Sequence, residues 1–260
     1  MNTTSSSAQT LGVAGERTGY ALQTEGLGKR YGKKWALRDC TLSLPTGKIA
    51  ALVGPNGAGK TTLLHLCVGL TQPSAGSVRV CGYSPQTQAK AMLPHIGFVA
   101  QDHPLYKGFS VAETLTMGRH LNPRWDNALA ERRLRALNIP LEQRADKLSG
   151  GQQAQVALAL ALAKRPDVLL LDEPLASLDP LARRDFLRTL TESVAEQGVA
   201  VLLSSHNVAD LERVCDYLII LSASRVQLAG DIDEIKRTHN ATLEDITLDY
   251  LGQSAKGTLS

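Results

Sequence analysis

Gly54-Pro55-Asn56-Gly57-Ala58-Gly59-Lys60-Thr61-Thr62 decides how the rest of the chain is read. Two glycines with four residues between them, then lysine and threonine, form the phosphate-loop pattern. Gly54, Gly57 and Gly59 permit backbone dihedrals that a side chain forbids, so that successive N–H groups can turn inward toward phosphate oxygens. Lys60 then places an ammonium on the β- and γ-phosphates, and the Thr61 hydroxyl is a Mg2+ ligand. Upstream, residues 48–53 read as a buried parallel strand. Downstream, Leu63, Leu66 or Cys67, and Leu70 recur at helical spacing, so the loop opens a helix whose N-terminal dipole favours anions. A glycine-rich turn with a chance lysine nearby lacks this strand–loop–helix frame. The expectation is a nucleoside triphosphate held by the whole run from Gly54 to Thr62.

The composition leaves room for such a site in a full-sized core. The 260 residues suit one large domain or one domain with an insertion, and 43% of them are hydrophobic. A net charge of +3 is too mild to argue for nucleic acid. The four cysteines, Cys40, Cys67, Cys81 and Cys215, form no close pairs, which argues against a zinc site or disulfide framework and for a reducing cytosol. The longest apolar run, residues 156–163, is far short of the ~20 needed to cross a bilayer. Residues 1–19 are rich in Ser, Thr, Ala and Gly without an apolar block; they read as a disordered tail rather than a signal peptide.

Beyond the tail, residues 20–24 and 36–44 read as short strands joined by a polar turn, and residues 77–83 and 96–100 as further strands. Residues 102–148 carry only helical periods, 111–121 and 126–137, separated by turns at Pro104, Pro123 and Pro140. This is a mainly helical insertion. Alternation resumes with strands at 168–171, 199–203, 217–221 and 225–229 and a helix at 180–196. Strands alternating with crossover helices predict an α/β fold with a mostly parallel sheet covered on both faces. The charge cluster at 131–135 reads as a solvated helix face, and Trp35 and Trp125 as packing residues.

The apolar strand at 168–171 ends in Asp172-Glu173-Pro174, which delivers two carboxylates to the C-terminal edge where ligands sit in open α/β sheets. With a phosphate loop in the same chain, Asp172 reads as the Mg2+ carboxylate and Glu173 as the general base for the attacking water. Leu148-Ser149-Gly150-Gly151-Gln152 opens an apolar helix and offers free backbone N–H groups at a positive helix end, a second anion cradle. One nucleotide needs only one cradle, so the second demands an explanation.

That pentapeptide is where the chain resembles the nucleotide-binding subunit of an ATP-binding-cassette (ABC) transporter, over about residues 20–230. The resemblance implies a RecA-like phosphate-loop core with an N-terminal antiparallel β subdomain, a helical subdomain at about 102–164 inside a cassette spanning 20–240, and a C-terminal helix and tail at 241–260. It implies that Tyr31 stacks on adenine, that Gln101 senses Mg2+ and water, and that Asp179 of Ser177-Leu178-Asp179 reaches across to a partner subunit. It further implies that His206 contacts the γ-phosphate. The second cradle then belongs to a second cassette: two copies pair head to tail, each ATP lying between one copy's phosphate loop and the other's Ser149-Gly150-Gly151-Gln152 turn. The chain has no Asn-Lys dipeptide, so the guanine-reading motif is absent and ATP is favoured. ATP and Mg2+ are the implied cofactors. The implied partners are a multi-span membrane permease, received beside Gln101 along residues 102–113, and a second cassette, with a homodimer expected and no nucleic acid. This places the chain on the inner face of the cell membrane. The apolar residues Leu243, Ile246, Tyr250 and Leu251 resemble the closing helix of drug- and polymer-export (ABC-2 type) cassettes, which favours export. The alternative is a soluble cassette working on a non-membrane partner such as an assembly scaffold. Ribosome-acting relatives carry two cassettes per chain and chromosome-type relatives insert long coiled coils, and neither feature is present.

Overall fold

Four wholly apolar strand cores dictate the centre of the molecule. The computed structural model describes residues 19–176, 178–208 and 211–256; the expected tail up to residue 18, and Ser177, lie outside them. In chain order the elements are β1 (Tyr20–Tyr31), β2 (Lys34–Pro45), β3 (Ile49–Val53), α1 (Lys60–Cys67), β4 (Ala75–Val80), α2 (Ala89–Met92), β5 (Ile96–Val99), α3 (Val111–Leu121) and α4 (Asn127–Ala136). They continue with α5 (Gly150–Ala163), β6 (Val168–Leu171), α6 (Pro180–Gln197), β7 (Ala200–Ser205), β8 (Tyr217–Ser222), β9 (Arg225–Asp231), α7 (Ile232–His239) and α8 (Leu243–Lys256).

The main sheet has the order β5-β6-β7-β3-β8-β9. The first five strands are parallel and β9 closes the edge antiparallel to β8. Because side chains alternate across a strand, each central strand serves two cores. Ile49, Ala51 and Val53 of β3, with Leu169 and Leu171 of β6, meet Leu158, Leu162, Phe186 and Leu190 from α5 and α6. Ala50 and Leu52, with Leu170 of β6, face α1 (Leu63, Leu64, Leu66) and the antiparallel sheet β2-β1-β4 (Leu22, Leu27, Leu44). A third core joins α3, α4 and α5 through Val111, Leu115, Leu134, Val156 and Ala159. This is the α/β phosphate-loop core with an antiparallel β layer and a helical insertion that the sequence implies.

Caps set where the helices begin. Ser110 and Glu113 form a reciprocal capping box on α3, Asp126 caps α4 and Asp179 caps α6 ahead of Pro180. Three expectations change. The first β-hairpin is longer than predicted, running through Tyr31 and turning at Gly32-Lys33. Leu70 is no part of α1: the helix stops at Cys67, Gly69 has φ 78°, and Leu70 is exposed. The 131–135 cluster is solvated only in part. Arg135 pairs with Glu131 on the surface, whereas Arg133 is largely covered and reaches α6, at the Thr189 carbonyl and Glu196.

Candidate active site

The central strands point the chemistry to one edge. β6, β7 and β3 are consecutive neighbours, and Asp172-Glu173, His206 and the Gly54–Lys60 loop follow their respective C-terminal ends. Residues far apart in sequence are therefore brought within side-chain reach, at the edge where parallel sheets bind ligands.

Within the loop the glycines act for different reasons. Gly57 and Gly59 have φ of 81° and 110°, the left-handed region that favours glycine. Gly54 is needed for packing, not for its dihedrals: a Cβ there would lie 2.1 Å from the Leu221 carbonyl oxygen. This corrects the dihedral explanation for Gly54. α1 starts at Lys60 with no side-chain cap and no acid in its first turn. Its first N–H groups and positive dipole end are left for an anionic ligand.

Lys60 is almost wholly covered. Its Nζ donates to the carbonyls of Gly54 at 2.8 Å and Pro55 at 3.3 Å and pairs with Glu173 Oε1 at 3.0 Å. The other Glu173 oxygen, Oε2, lies 3.2 Å from His206 Nδ1. Burial pushes the Glu173 carboxyl up, but the Lys60 ammonium and then His206 outweigh it and hold the group below the usual glutamate range. Glu173 also has φ 42°, a costly conformation for a residue with a side chain. Ser204 helps to hold it there: its Oγ accepts from the Glu173 N–H at 2.8 Å and donates to Asp172 Oδ1 at 2.8 Å, while the Glu173 carbonyl accepts from the Ala176 N–H at 3.1 Å. Sequence reading missed Ser204. The available signal was a Ser-Ser-His run ending an otherwise apolar strand.

A cavity of about 530 Å³ opens over the loop, within the usual size range of small-molecule sites. Of the predicted residues it is lined by Tyr31, Asn56, Gly57, Gly59, Lys60, Thr61, Thr62, Gln101 and Glu173. Gly54 and Pro55 contribute through the carbonyls on Lys60, while Ala58 is buried beneath the loop. Lys34, Trp35 and Ala36 also line it and were not foreseen. Trp35 does pack as expected, against Gly28 and under the Arg30 guanidinium at 5.6 Å, but it serves the cavity too. Thr61 and Gln101 line this cavity, whereas Asp172 does not and instead follows β6 next to Glu173; all three carry oxygens of the hard type that suits Mg2+. Among the described residues no group of three or more His, Cys, Asp or Glu could hold a metal alone, so phosphate oxygens would have to complete the shell.

Ser149, Gly150, Gly151, Gln152 and Asp179 do not line this cavity. Ser149 and Gln152 form a capping box on α5, with Ser149 Oγ accepting from Gln152 N at 3.2 Å and Ser149 N donating to Gln152 Oε1 at 2.9 Å. Asp179 Oδ1 accepts from the N–H groups of Leu181 and Ala182 at the start of α6. The two helix starts adjoin: a Cβ at Gly151 would lie 3.1 Å from the Ala182 Cβ, whereas one at Gly150 would meet nothing within 4 Å. These residues form a second locus on the surface.

The family model described as ABC transporter matches residues 37–176. The sulfate/thiosulfate import ATP-binding protein of Bordetella parapertussis is 36% identical over 224 residues, covering 83% of this chain and 63% of its own length. The Nod factor export ATP-binding protein I of Cupriavidus pinatubonensis is 38% identical over 204 residues, covering 76% and 62%. The chain thus spans somewhat under two thirds of each of these relatives. A solved structure of an ATP-binding subunit of an ABC transporter superposes with a TM-score of 0.80 at 29% identity, covering 88% of this chain and 99% of that one. The expectation of export gains no support: sulfate/thiosulfate relatives and an Fe(3+) ions relative of Rhodococcus jostii, 32% identical over 240 residues, are named for import, against the Nod factor relative named for export. Loop, acids and serine–glycine turn on one α/β core thus find a family explanation: the chain belongs to the ABC transporter family.

Proposed function

We propose that this chain is the ATP-binding and ATP-hydrolysing subunit of a transporter, driving translocation through a separate membrane subunit by pairing with a second cassette around ATP. The observation that carries this is the physical separation of two anion cradles on one chain. The Lys60 loop, Glu173 and His206 meet at one strand edge, while Ser149-Gly150-Gly151 opens α5 elsewhere. The cassette spans 20–240, with 102–164 as its helical subdomain and 241–260 as the closing helix and tail.

In this reading Tyr31 stacks on the adenine at the cavity mouth; it is 55% exposed there, with the Lys29 ammonium 5.1 Å from its ring centroid. The loop N–H groups and Lys60 hold the β- and γ-phosphates. Thr61, Gln101 and Asp172 would hold Mg2+, which neutralises phosphate charge when bound. Glu173 accepts a proton from the attacking water, giving an oxygen nucleophile for the γ-phosphorus, and His206 keeps the carboxylate oriented. The partner copy completes the site with its Ser149–Gln152 turn and Asp179, and loss of the γ-phosphate removes what both copies hold.

No described helix is long and apolar enough to cross a membrane. On the family reading the channel is a separate membrane subunit, and the cassette sits on the membrane face beside it. The exposed pair Tyr106 and Phe109, ring centroids 5.4 Å apart on the segment after Gln101, supports permease docking there. Gly150→Glu tests the paired arrangement. The new side chain has free space and an acid suits a helix start, so the single copy keeps its fold and nucleotide affinity while ATP-dependent dimerisation in size-exclusion chromatography disappears. Loss of nucleotide affinity in the single copy would contradict the arrangement.

A further inference from the structure

The ammonium of Lys60 has three protons, and the structure accounts for all of them: the Gly54 carbonyl, the Pro55 carbonyl and Glu173 Oε1. The first two partners are neutral and belong to the loop itself. The third is anionic and arrives from the end of a different strand. With side-chain exposures of 5% and 12%, the Lys60–Glu173 pair is little screened by water or salt. A carboxylate oxygen on a buried ammonium is chemically what a terminal phosphate oxygen would be there. Glu173 cannot serve both places at once: with Oε1 on Lys60 its negative charge is neutralised, and with Oε1 on a water it has left Lys60.

We infer that Glu173 determines nucleotide selectivity as well as acting as base: its carboxylate is a resident occupant of the γ-phosphate seat on Lys60, displaced by a triphosphate and left in place by a diphosphate. The inference rests on the ATP reading above. The geometry supplies a path for the exchange. Oε2 stays with His206 Nδ1 at 3.2 Å and the backbone N–H stays on Ser204 Oγ, so Oε1 can swing off Lys60 while the group keeps two anchors. The base is thereby released by the same phosphate that it must act on, and a product-loaded site returns it to rest.

The test compares the full chain with its Glu173→Gln variant, both carrying Gly150→Glu so that pairing between copies adds nothing. Calorimetric titrations with Mg2+ and either β,γ-imido-ATP or ADP give the affinities, and thermal melts are recorded without nucleotide. The amide keeps the shape of the carboxylate but brings no charge to Lys60. The expected result is imido-ATP binding about tenfold tighter, ~1.4 kcal/mol, with ADP changed by less than about twofold. The melting temperature without nucleotide falls, because a covered ion pair has been removed. Equal tightening for both nucleotides, or none for either, overturns the selectivity. Tighter imido-ATP with an unchanged or raised melting temperature means plain repulsion between carboxylate and phosphate, and overturns the resident-occupant role. If the parent does not bind imido-ATP, or if Lys60→Ala binds it as well, the ATP reading itself is lost.

Discussion

Replacing Ser204 with alanine removes one oxygen that is 1% exposed and serves two neighbours. The Glu173 N–H loses its acceptor and Asp172 Oδ1 loses its donor, each bond 2.8 Å long. A buried polar group left without its partner costs about 1–3 kcal/mol, more when it is charged. Asp172 is 2% exposed, so water restores little there, whereas Glu173 is only half-buried and its N–H can turn to water; the loss is therefore about 2–3 kcal/mol of stability, most of it at Asp172. For a chain of this size that lowers Tm by about 5–10 °C. Turnover suffers separately. Glu173 is held at φ 42°, a conformation that costs roughly 1–2 kcal/mol, and Ser204 is the partner of its N–H in that conformation. Freed from it, the backbone relaxes and the carboxylate leaves the position from which the proposed mechanism has it take the proton of the attacking water. Steady-state phosphate release should fall at least about tenfold, matching a barrier increase of ~1.4 kcal/mol, while the Kd for ATP stays within about threefold. Differential scanning fluorimetry, phosphate release and titration of ATP read the three quantities. A variant that melts within about 2 °C of the parent and turns over at its rate would falsify the bridging role.

Further substitutions probe other parts of the site and its support. Gly54→Ala forces a Cβ to 2.1 Å from the Leu221 carbonyl, a backbone atom of β8 that cannot turn away; the loop shifts, and ATP affinity should fall by at least about tenfold in calorimetry. Gly118→Ala presses on the Trp125 ring at 2.4 Å between α3 and α4, and a melt should show about 1–3 kcal/mol of destabilisation with ATP affinity unchanged. Asp126 is held below the usual aspartate range, first by the Leu129 N–H and then by Arg165. A depressed carboxyl adds stability that is present above its unfolded value of ~3.9 and is lost as pH falls through the folded one. Melting curves of the parent and Asp126→Asn should therefore lie apart at neutral pH and converge below about pH 4. Parallel curves at every pH would remove Asp126 from the account.

What could be read from the sequence was whatever a single local segment determines. The spacing of Gly54, Gly59 and Lys60 is set by backbone chemistry that no distant contact alters. The apolar runs that became β3, β6 and β7 end at Gly54, Asp172 and His206 because a buried parallel strand must surface at its C-terminal end. What stayed hidden depends on neighbours distant in sequence. Ser204 matters because β6 and β7 lie in register with Leu171 opposite Leu203, which sets Ser204 beside Asp172 and Glu173. Lys34 and Trp35 join the cavity because the first hairpin is long enough to carry them past the loop. α7 went unnoticed because it is eight residues long and mostly polar; it is held by Asp231 as its cap and by Ile232 and Ile235 as its buried face. The same limit applies to Ser149 and Asp179, whose capping roles are local and visible here, while any reach toward a second copy concerns a surface that one chain does not fill.

The central claim is that Glu173, set between Lys60 and His206, is the base that hydrolyses ATP bound on the Lys60 loop. Glu173→Gln measured for both ATP retention and phosphate release tests it most directly. The account predicts that the variant binds ATP at least as tightly as the parent, runs as an ATP-dependent dimer in size-exclusion chromatography, and releases phosphate at least about a hundredfold more slowly, the typical loss of a general base. Phosphate release at the parent rate, with ATP still bound, would contradict it.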